Sequence, residues 1–160
     1  MAGVEFRETM AGSLRVVGKE GQAPISFTIR ARSRGLSAFL GRALVEIEGE
    51  VFAEGIAEHR PLRGAIDMGP LLSRRIPYGF AFTGDDGATY AFTGEKTLAR
   101  GALIESFSIL PGEIRDARGA LVGQALLRFD VRSSALLVLK SFWPANMTLT
   151  RKKRRSDATA

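Results

Sequence analysis

The sequence contains no cysteine and a single histidine among its 160 residues. Disulfide frameworks, thiolate–zinc sites and thiol catalysis are therefore excluded. It has no run of 18 consecutive apolar residues, which a transmembrane helix needs, and residues 1–20 hold no apolar run long enough for a signal peptide. With 45% hydrophobic and 25% charged residues, the composition is that of one soluble globular domain, for which we expect a cytoplasmic location.

Signatures of common cofactor and catalytic sites are also missing. There is no Gly-x-Gly-x-x-Gly turn, Walker loop, HExxH helix or Gly-x-Ser-x-Gly elbow. We therefore predict no cofactor, no metal site and no assigned catalytic residue. His59 lies in Glu58-His59-Arg60-Pro61, a segment typical of an exposed loop between strands. A role for His59 in acid–base catalysis, tuned by Glu54 or Glu58, is the minor alternative.

The net charge of +6 is concentrated at the C-terminal end. Five positive charges come from Arg151, Lys152, Lys153, Arg154 and Arg155. Without these and Asp157 the chain carries only about +2, so no basic face for specific nucleic-acid binding is predicted. We expect one β-barrel domain over residues 1–146 and a basic, disordered tail over 147–160. Together with the apolar segment 135–142 and Trp143, the tail could bind an anionic membrane surface.

A period of two in hydrophobicity dominates the chain. Ile25, Phe27 and Ile29 alternate with polar residues, as in a half-buried strand. Strands are predicted over residues 4–10, 25–31, 43–48, 51–57, 62–68, 76–83, 88–94, 103–109 and 121–131, separated by Gly, Pro or Asp. The short connections favour antiparallel pairing. The predicted fold class is all-β, an antiparallel barrel or sandwich of about eight to nine strands, with short helices at 33–40 and from Ser133 or Ser134 to Phe142.

An aromatic hairpin is the strongest local pattern. Two alternating runs flank Gly84-Asp85-Asp86-Gly87, and they contain Tyr78, Phe80, Phe82, Tyr90 and Phe92. A two-residue turn, Asp86-Gly87, would pair Phe82 with Ala91 and place the two aromatic sets on opposite faces. We therefore predict a three-residue loop, Asp85-Asp86-Gly87, which pairs Phe82 with Tyr90 and Phe80 with Phe92 on one face, with Gly87 in the left-handed conformation. The five rings are interpreted as barrel core, and the alternative is the lining of a ligand pocket, which the two phenol groups favour.

Glu8 is the ionisable residue with the most informative position. It shares the inward parity of Val4, Phe6 and Met10, and a buried carboxylate needs a compensating partner. We predict that partner to be Lys96. Structural pairing is one interpretation, and orientation of a polar group of an apolar ligand is the other. The candidate ligand-binding residues are thus Glu8, Tyr78, Phe80, Phe82, Tyr90, Phe92 and Lys96.

Several short motifs occur in a familiar order. They are Phe6-Arg7-Glu8-Thr9-Met10-Ala11-Gly12, the run from Ile25 to Ile29 followed by Leu36 to Leu40, Gly49-Glu50-Val51, Arg63-Gly64-Ala65-Ile66, and Tyr78-Gly79-Phe80-Ala81-Phe82 leading to Gly94-Glu95-Lys96. Over residues 4–142 this order resembles an accessory β-domain associated with cholesterol-oxidase-like, GMC-type flavoproteins, here as a stand-alone chain without the flavin-binding part. The fold expected is a barrel similar to those of calycins and allene oxide cyclases.

This resemblance implies a domain that accompanies lipid or sterol metabolism rather than one that catalyses a reaction. We therefore expect a non-catalytic β-barrel module that binds an apolar, lipid- or sterol-like small molecule or docks onto an oxidoreductase of lipid metabolism. One alternative is a small cofactor-independent isomerase or cyclase in which Tyr78, Tyr90 and Glu8 move protons. Another is a pure protein-interaction module with a filled core.

Overall fold

The computed structural model describes residues 4–33, 44–69, 74–102 and 106–129. They form eight strands: β1 (Val4–Val16), β2 (Ala23–Ser33), β3 (Leu44–Ala53), β4 (Ala57–Asp67), β5 (Arg75–Thr83), β6 (Thr89–Thr97), β7 (Ile109–Asp116) and β8 (Leu121–Phe129). Each strand pairs antiparallel with the next, and β8 pairs with β1 to close the barrel. The prediction of an antiparallel β-barrel is confirmed.

The alternation read from the sequence determines which side chains lie inside. On β2, Ile25, Phe27 and Ile29 are at most 1% exposed, and the residues between them are only partly buried. On β8, Ala125, Leu127 and Phe129 alternate in the same way with exposed neighbours. Because successive side chains of a strand point to opposite faces, this pattern gives each strand one apolar face for the shared core.

Glycines inside the strands account for the difference between nine predicted strands and eight observed ones. Six of them stand at inward positions of the alternation: Gly12, Gly49, Gly64, Gly94, Gly112 and Gly123. At Gly49 an added Cβ would lie 1.9 Å from the carbonyl oxygen of Thr28 on the paired strand β2, so the backbones are too close there for any side chain. Such glycines allow a small barrel to bend sharply. The strands predicted at 43–48 and 51–57 are consequently one strand, β3.

Four prolines also lie within strands: Pro24, Pro61, Pro77 and Pro111. Each proline is paired with a residue of one adjacent strand, whereas the ladder with the other adjacent strand ends one residue before it. Pro111, for example, pairs with Leu126, and the β6–β7 ladder ends at Gly112. A residue without an amide proton is tolerated at such a position, where no ladder hydrogen bond is required of it.

The prediction of a strand at 103–109 is wrong over the described residues 106–108, and the predicted strand ends before Pro111 and Gly112. The strand is β7, which begins at Ile109 and continues through both residues. Before it, the amide of Ser106 donates a hydrogen bond to the carbonyl of Ala102, and Ser106 and Phe107 are helical rather than extended.

Several other predictions fall outside the part of the chain that is described. They are the helices predicted at 33–40, beyond Ser33 in β2, and at 133–142, the domain boundary at 146, and the basic cluster from Arg151 to Arg155. Within the described ranges, no helix has the length and apolar character needed to cross a membrane.

The aromatic hairpin has the predicted register. Phe80 pairs with Phe92 and Phe82 with Tyr90. The loop is closed by two hydrogen bonds, from the amide of Gly84 to the carbonyl of Ala88 (2.8 Å) and from the amide of Gly87 to the carbonyl of Gly84 (3.1 Å). Gly87 has a φ of 80°, the left-handed conformation that a three-residue loop requires.

The two ends of the barrel differ in their connections. At one end, here called the turn end, residues 17–22, 54–56, 84–88 and 117–120 join consecutive strands by short turns. At the other, the connection end, longer segments at 34–43, 68–74 and 98–108 join the strands, and the chain continues beyond Phe129. In an up-and-down barrel the two kinds of connection alternate along the chain.

Candidate functional site

Aromatic rings fill the part of the interior next to the turn end. The ring centroids of Phe80 and Phe92 are 4.8 Å apart, those of Phe27 and Phe80 5.2 Å, and those of Phe82 and Tyr90 5.7 Å. These are contact distances of packed aromatic side chains. They favour a core role for Phe80, Phe82 and Phe92 over a ligand contact.

Tyr90 stacks on Phe82 and lies apart from the polar site residues Glu8, Tyr78 and Lys96. It is half-buried, and its hydroxyl donates a hydrogen bond to Asp86 at 2.7 Å in the turn after β5. The sequence grouped Tyr90 with Tyr78 and Glu8 as possible proton donors and acceptors. The structure does not bring these three residues together, because Tyr90 is bound at the turn end.

A polar cluster occupies the interior near the connection end. Lys96 on β6 places its Nζ 2.5 Å from Oε1 of Glu8 on β1, on the other side of the barrel. The hydroxyl of Tyr78 on β5 donates to Oε2 of the same carboxylate at 3.0 Å. The side chains of Lys96 and Glu8 are 0% and 1% exposed. The predicted pairing of Glu8 with Lys96 is confirmed, and we call these three residues the Glu8–Tyr78–Lys96 cluster.

Three aromatic rings surround the ammonium group of Lys96. Its Nζ lies 4.3 Å from the ring centroid of Phe107, 4.9 Å from that of Tyr78 and 5.4 Å from that of Phe129. These distances are within the range of favourable cation–π contacts. Glu8 is the one hydrogen-bond acceptor of Nζ among the described residues. Since an ammonium carries three donors, two N–H groups have no acceptor there.

Phe107 and Phe129 are the site residues that sequence reasoning missed. Phe129 shares the inward parity of Leu127, so alternation alone could have placed it inside. Phe107 was hidden by the incorrect strand at 103–109, and no signal in the sequence locates its ring over Lys96.

Burial dominates the electrostatics of the cluster. The loss of water around the ammonium lowers the pKa of Lys96, and the charge and hydrogen bond of Glu8 oppose this effect only in part. Burial, followed by the charge and hydrogen bond of Glu8, raises the pKa of Tyr78 well above its ordinary value. Tyr78 is thus a neutral donor at neutral pH. Lys96 and Glu8 carry opposite charges as an ion pair, so the net charge of the cluster is zero.

His59 lies on the outer surface and not in the predicted loop. It belongs to β4, with a φ of 51°, beside the register shift between Val51 and Ala53. Its Nδ1 is 2.7 Å from Oε1 of Glu50, and its side chain is 64% exposed. The neighbouring carboxylate is therefore Glu50, where the sequence had suggested Glu54 or Glu58, and the imidazole is solvated.

Comparison of the chain with protein-family models, with curated proteins and with solved structures gives no match. The resemblance to an accessory domain of cholesterol-oxidase-like flavoproteins therefore stays a prediction.

Proposed function

We propose that this protein is a non-catalytic β-barrel module that binds a neutral, apolar small molecule, lipid- or sterol-like, through one oxygen atom of the ligand at the Glu8–Tyr78–Lys96 cluster. One observation carries the proposal: a buried ammonium, in an otherwise apolar interior, has two N–H groups without an acceptor among the described residues. A few placed polar groups among apolar walls are typical of small-molecule sites.

The charge of the cluster argues for a neutral ligand. An anionic head group would compete with Glu8 for Lys96 and would leave a buried carboxylate with Tyr78 as its one remaining donor among the described residues. Uncompensated buried charge is costly. A carbonyl or hydroxyl oxygen, in contrast, can accept a free N–H of Lys96 while the contact with Glu8 remains.

The distribution of the rings argues for the connection end. Packed phenylalanines occupy the interior toward the turn end, whereas Lys96 is covered by Phe107, which lies in a connection and not in a strand. An apolar ligand would therefore lie against Phe107 and Phe129. Docking onto an oxidoreductase of lipid metabolism is the second part of the proposal and rests on the sequence resemblance.

Native mass spectrometry of freshly purified full-length protein, followed by extraction of bound lipid, tests the binding function. We expect a neutral adduct that is lost in Lys96→Met and kept in Lys19→Met, which removes an exposed lysine as a control. If Lys96→Met fails to fold, Tyr78→Phe is the second variant. It retains both charges and should weaken the adduct. Absence of any adduct, also after incubation with neutral lipids, contradicts the proposal. Turnover of the recovered lipid would favour the isomerase or cyclase alternative.

A further inference from the structure

We propose that Lys96 forms a Schiff base with an apolar aldehyde bound at the connection end of the barrel, and that Glu8 is the counter-ion of the resulting iminium. The proposal rests on the proposed binding function and names its ligand class. It is carried by the position of a lysine amine inside an apolar barrel, 2.5 Å from a carboxylate and within 5.4 Å of three aromatic ring centroids.

The first requirement for this chemistry is a free amine. An ordinary surface lysine is protonated at neutral pH and a poor nucleophile. Lys96 is 0% exposed, and burial lowers its pKa, so its uncharged amine forms more readily than that of an ordinary surface lysine. Oε1 of Glu8 is within hydrogen-bond distance and can take the proton that the ammonium must lose.

The second requirement is proton transfer at each step, which one carboxylate can supply. Lys96 gives a proton to Glu8, and the amine attacks the aldehyde carbon to form the C–N bond. Glu8 returns the proton to the carbonyl oxygen, which gives a carbinolamine. A second proton passes from nitrogen through Glu8 to the hydroxyl, the C–O bond breaks, and water leaves. Ammonium and aldehyde thus yield a protonated iminium and water, with no oxidant or reductant.

The third requirement is a stable partner for the iminium. The iminium keeps one N–H and the positive charge, so it replaces the ammonium opposite Glu8 without a change in net charge. The hydroxyl of Tyr78 binds the other carboxylate oxygen and holds the carboxylate in place. The rings of Phe107 and Phe129 that face the ammonium would then face the delocalised iminium cation.

Phe107 determines the route by which an aldehyde reaches the amine. Tyr78 and Phe129 belong to strands that are held by ladders on the barrel wall, whereas Phe107 is half-buried in the short turn before β7. Segments outside a ladder open at a lower free energy than strands do. Of the three rings over Nζ, Phe107 is therefore the one whose displacement costs least.

Reductive trapping of the full-length protein tests the proposal. The protein is incubated with decanal and sodium cyanoborohydride near neutral pH, digested, and analysed by peptide mass spectrometry. We expect alkylation at Lys96 to be faster than at Lys19, because burial lowers the pKa of Lys96 and so raises its fraction of free amine. An excess of 1-decanol should slow labelling of Lys96 and not of Lys19. Labelling of Lys96 no faster than of Lys19 overturns the Schiff base.

Two variants and one binding measurement separate the possible failures. Lys96→Arg keeps a cation beside Glu8 and should lose the adduct. If this variant does not fold, peptide mass spectra of the wild-type chain still show whether Lys96 is the alkylated residue. Phe107→Ala should accelerate labelling, and an unchanged rate overturns the proposed route. Binding of 1-decanol in native mass spectra without a Lys96 adduct overturns the Schiff base and leaves the proposed function intact. Absence of both bound 1-decanol and the Lys96 adduct contradicts the Schiff base and the proposed binding function.

Discussion

Removal of one partner of the buried ion pair should destabilise the barrel more than removal of both. In Lys96→Met, the carboxylate of Glu8 stays 1% exposed in the wild-type geometry and loses its cation. In Glu8→Gln, the ammonium of Lys96 loses its counter-ion. Breaking a buried pair in this way costs about 3–5 kcal/mol, a large part of the roughly 5–15 kcal/mol that stabilises a domain.

The double variant Glu8→Gln/Lys96→Met removes both charges of the buried pair. Its main penalty is the amide group of the new glutamine, about 1–3 kcal/mol if it finds no partner, whereas the hydroxyl of Tyr78 can still donate to the amide oxygen. We therefore expect the double variant to be more stable than either single variant. Tyr78→Phe, which removes one hydrogen bond to a charged acceptor, should cost about 1.5–3 kcal/mol.

Urea unfolding followed by far-ultraviolet circular dichroism measures these differences. The slope of the free energy of unfolding against urea must stay constant across the set, so that the midpoints report stability alone. Additive losses, with the double variant less stable than both single variants, would refute the reasoning that the cost of each single variant comes from a stranded charge.

Three further predictions follow from the barrel geometry. Gly64→Ala should lower the free energy of unfolding by about 3 kcal/mol or more, because the new Cβ would lie 1.9 Å from the carbonyl oxygen of Gly79. Gly79→Ala, whose Cβ would have no atom within 4 Å, should be neutral or stabilising by up to about 1 kcal/mol in the same urea assay. In the Tyr90→Phe variant, the remaining phenol, that of Tyr78, should not ionise in the native state near its ordinary pKa, because burial raises that pKa. The contribution of the neutral phenol to stability is therefore full below about pH 10 and is lost as the pH rises further. An absorbance titration that shows ionisation near the ordinary pKa, while the circular dichroism stays native, would contradict this prediction. Gly87→Ala should cost about 1 kcal/mol of unfolding free energy, since its φ of 80° strains any side chain, and an unchanged thermal midpoint would argue against the observed loop.

The parts of the fold that could be predicted from the sequence are those that alternation and turn chemistry determine. The turn residues allow a two-residue loop, Asp86-Gly87, or a three-residue loop, Asp85-Asp86-Gly87. Only the longer loop keeps the aromatic rings on one face, and it sets the register of Phe80 against Phe92. The inward parity of Glu8 likewise required a buried partner, and Lys96 was the candidate.

The parts that were missed depend on contacts between strands far apart in the sequence. Gly49 separates two apolar runs and looks like a boundary, but it lies within β3, where the backbone of the paired strand β2 at Thr28 leaves no room for a side chain. Pro111 also looks like a boundary, and only the position of the ladder end shows that it fits within β7. The ring of Phe107 over Lys96 depends on the path of a connection, which no local pattern determines.

The four strand prolines have a consequence for the width of the barrel. A strand that slides by one residue exposes its apolar face, but a slide by two residues keeps every side chain on the correct face, so hydrophobicity alone does not prevent it. In one of its two directions, such a slide would bring one of the four prolines into a ladder that now ends one residue before that proline. Because proline has no amide proton, one ladder hydrogen bond would be lost. The prolines thereby restrict the shear of the sheet. Because strand number and shear together set the radius of a barrel, they help to determine the room available around Lys96.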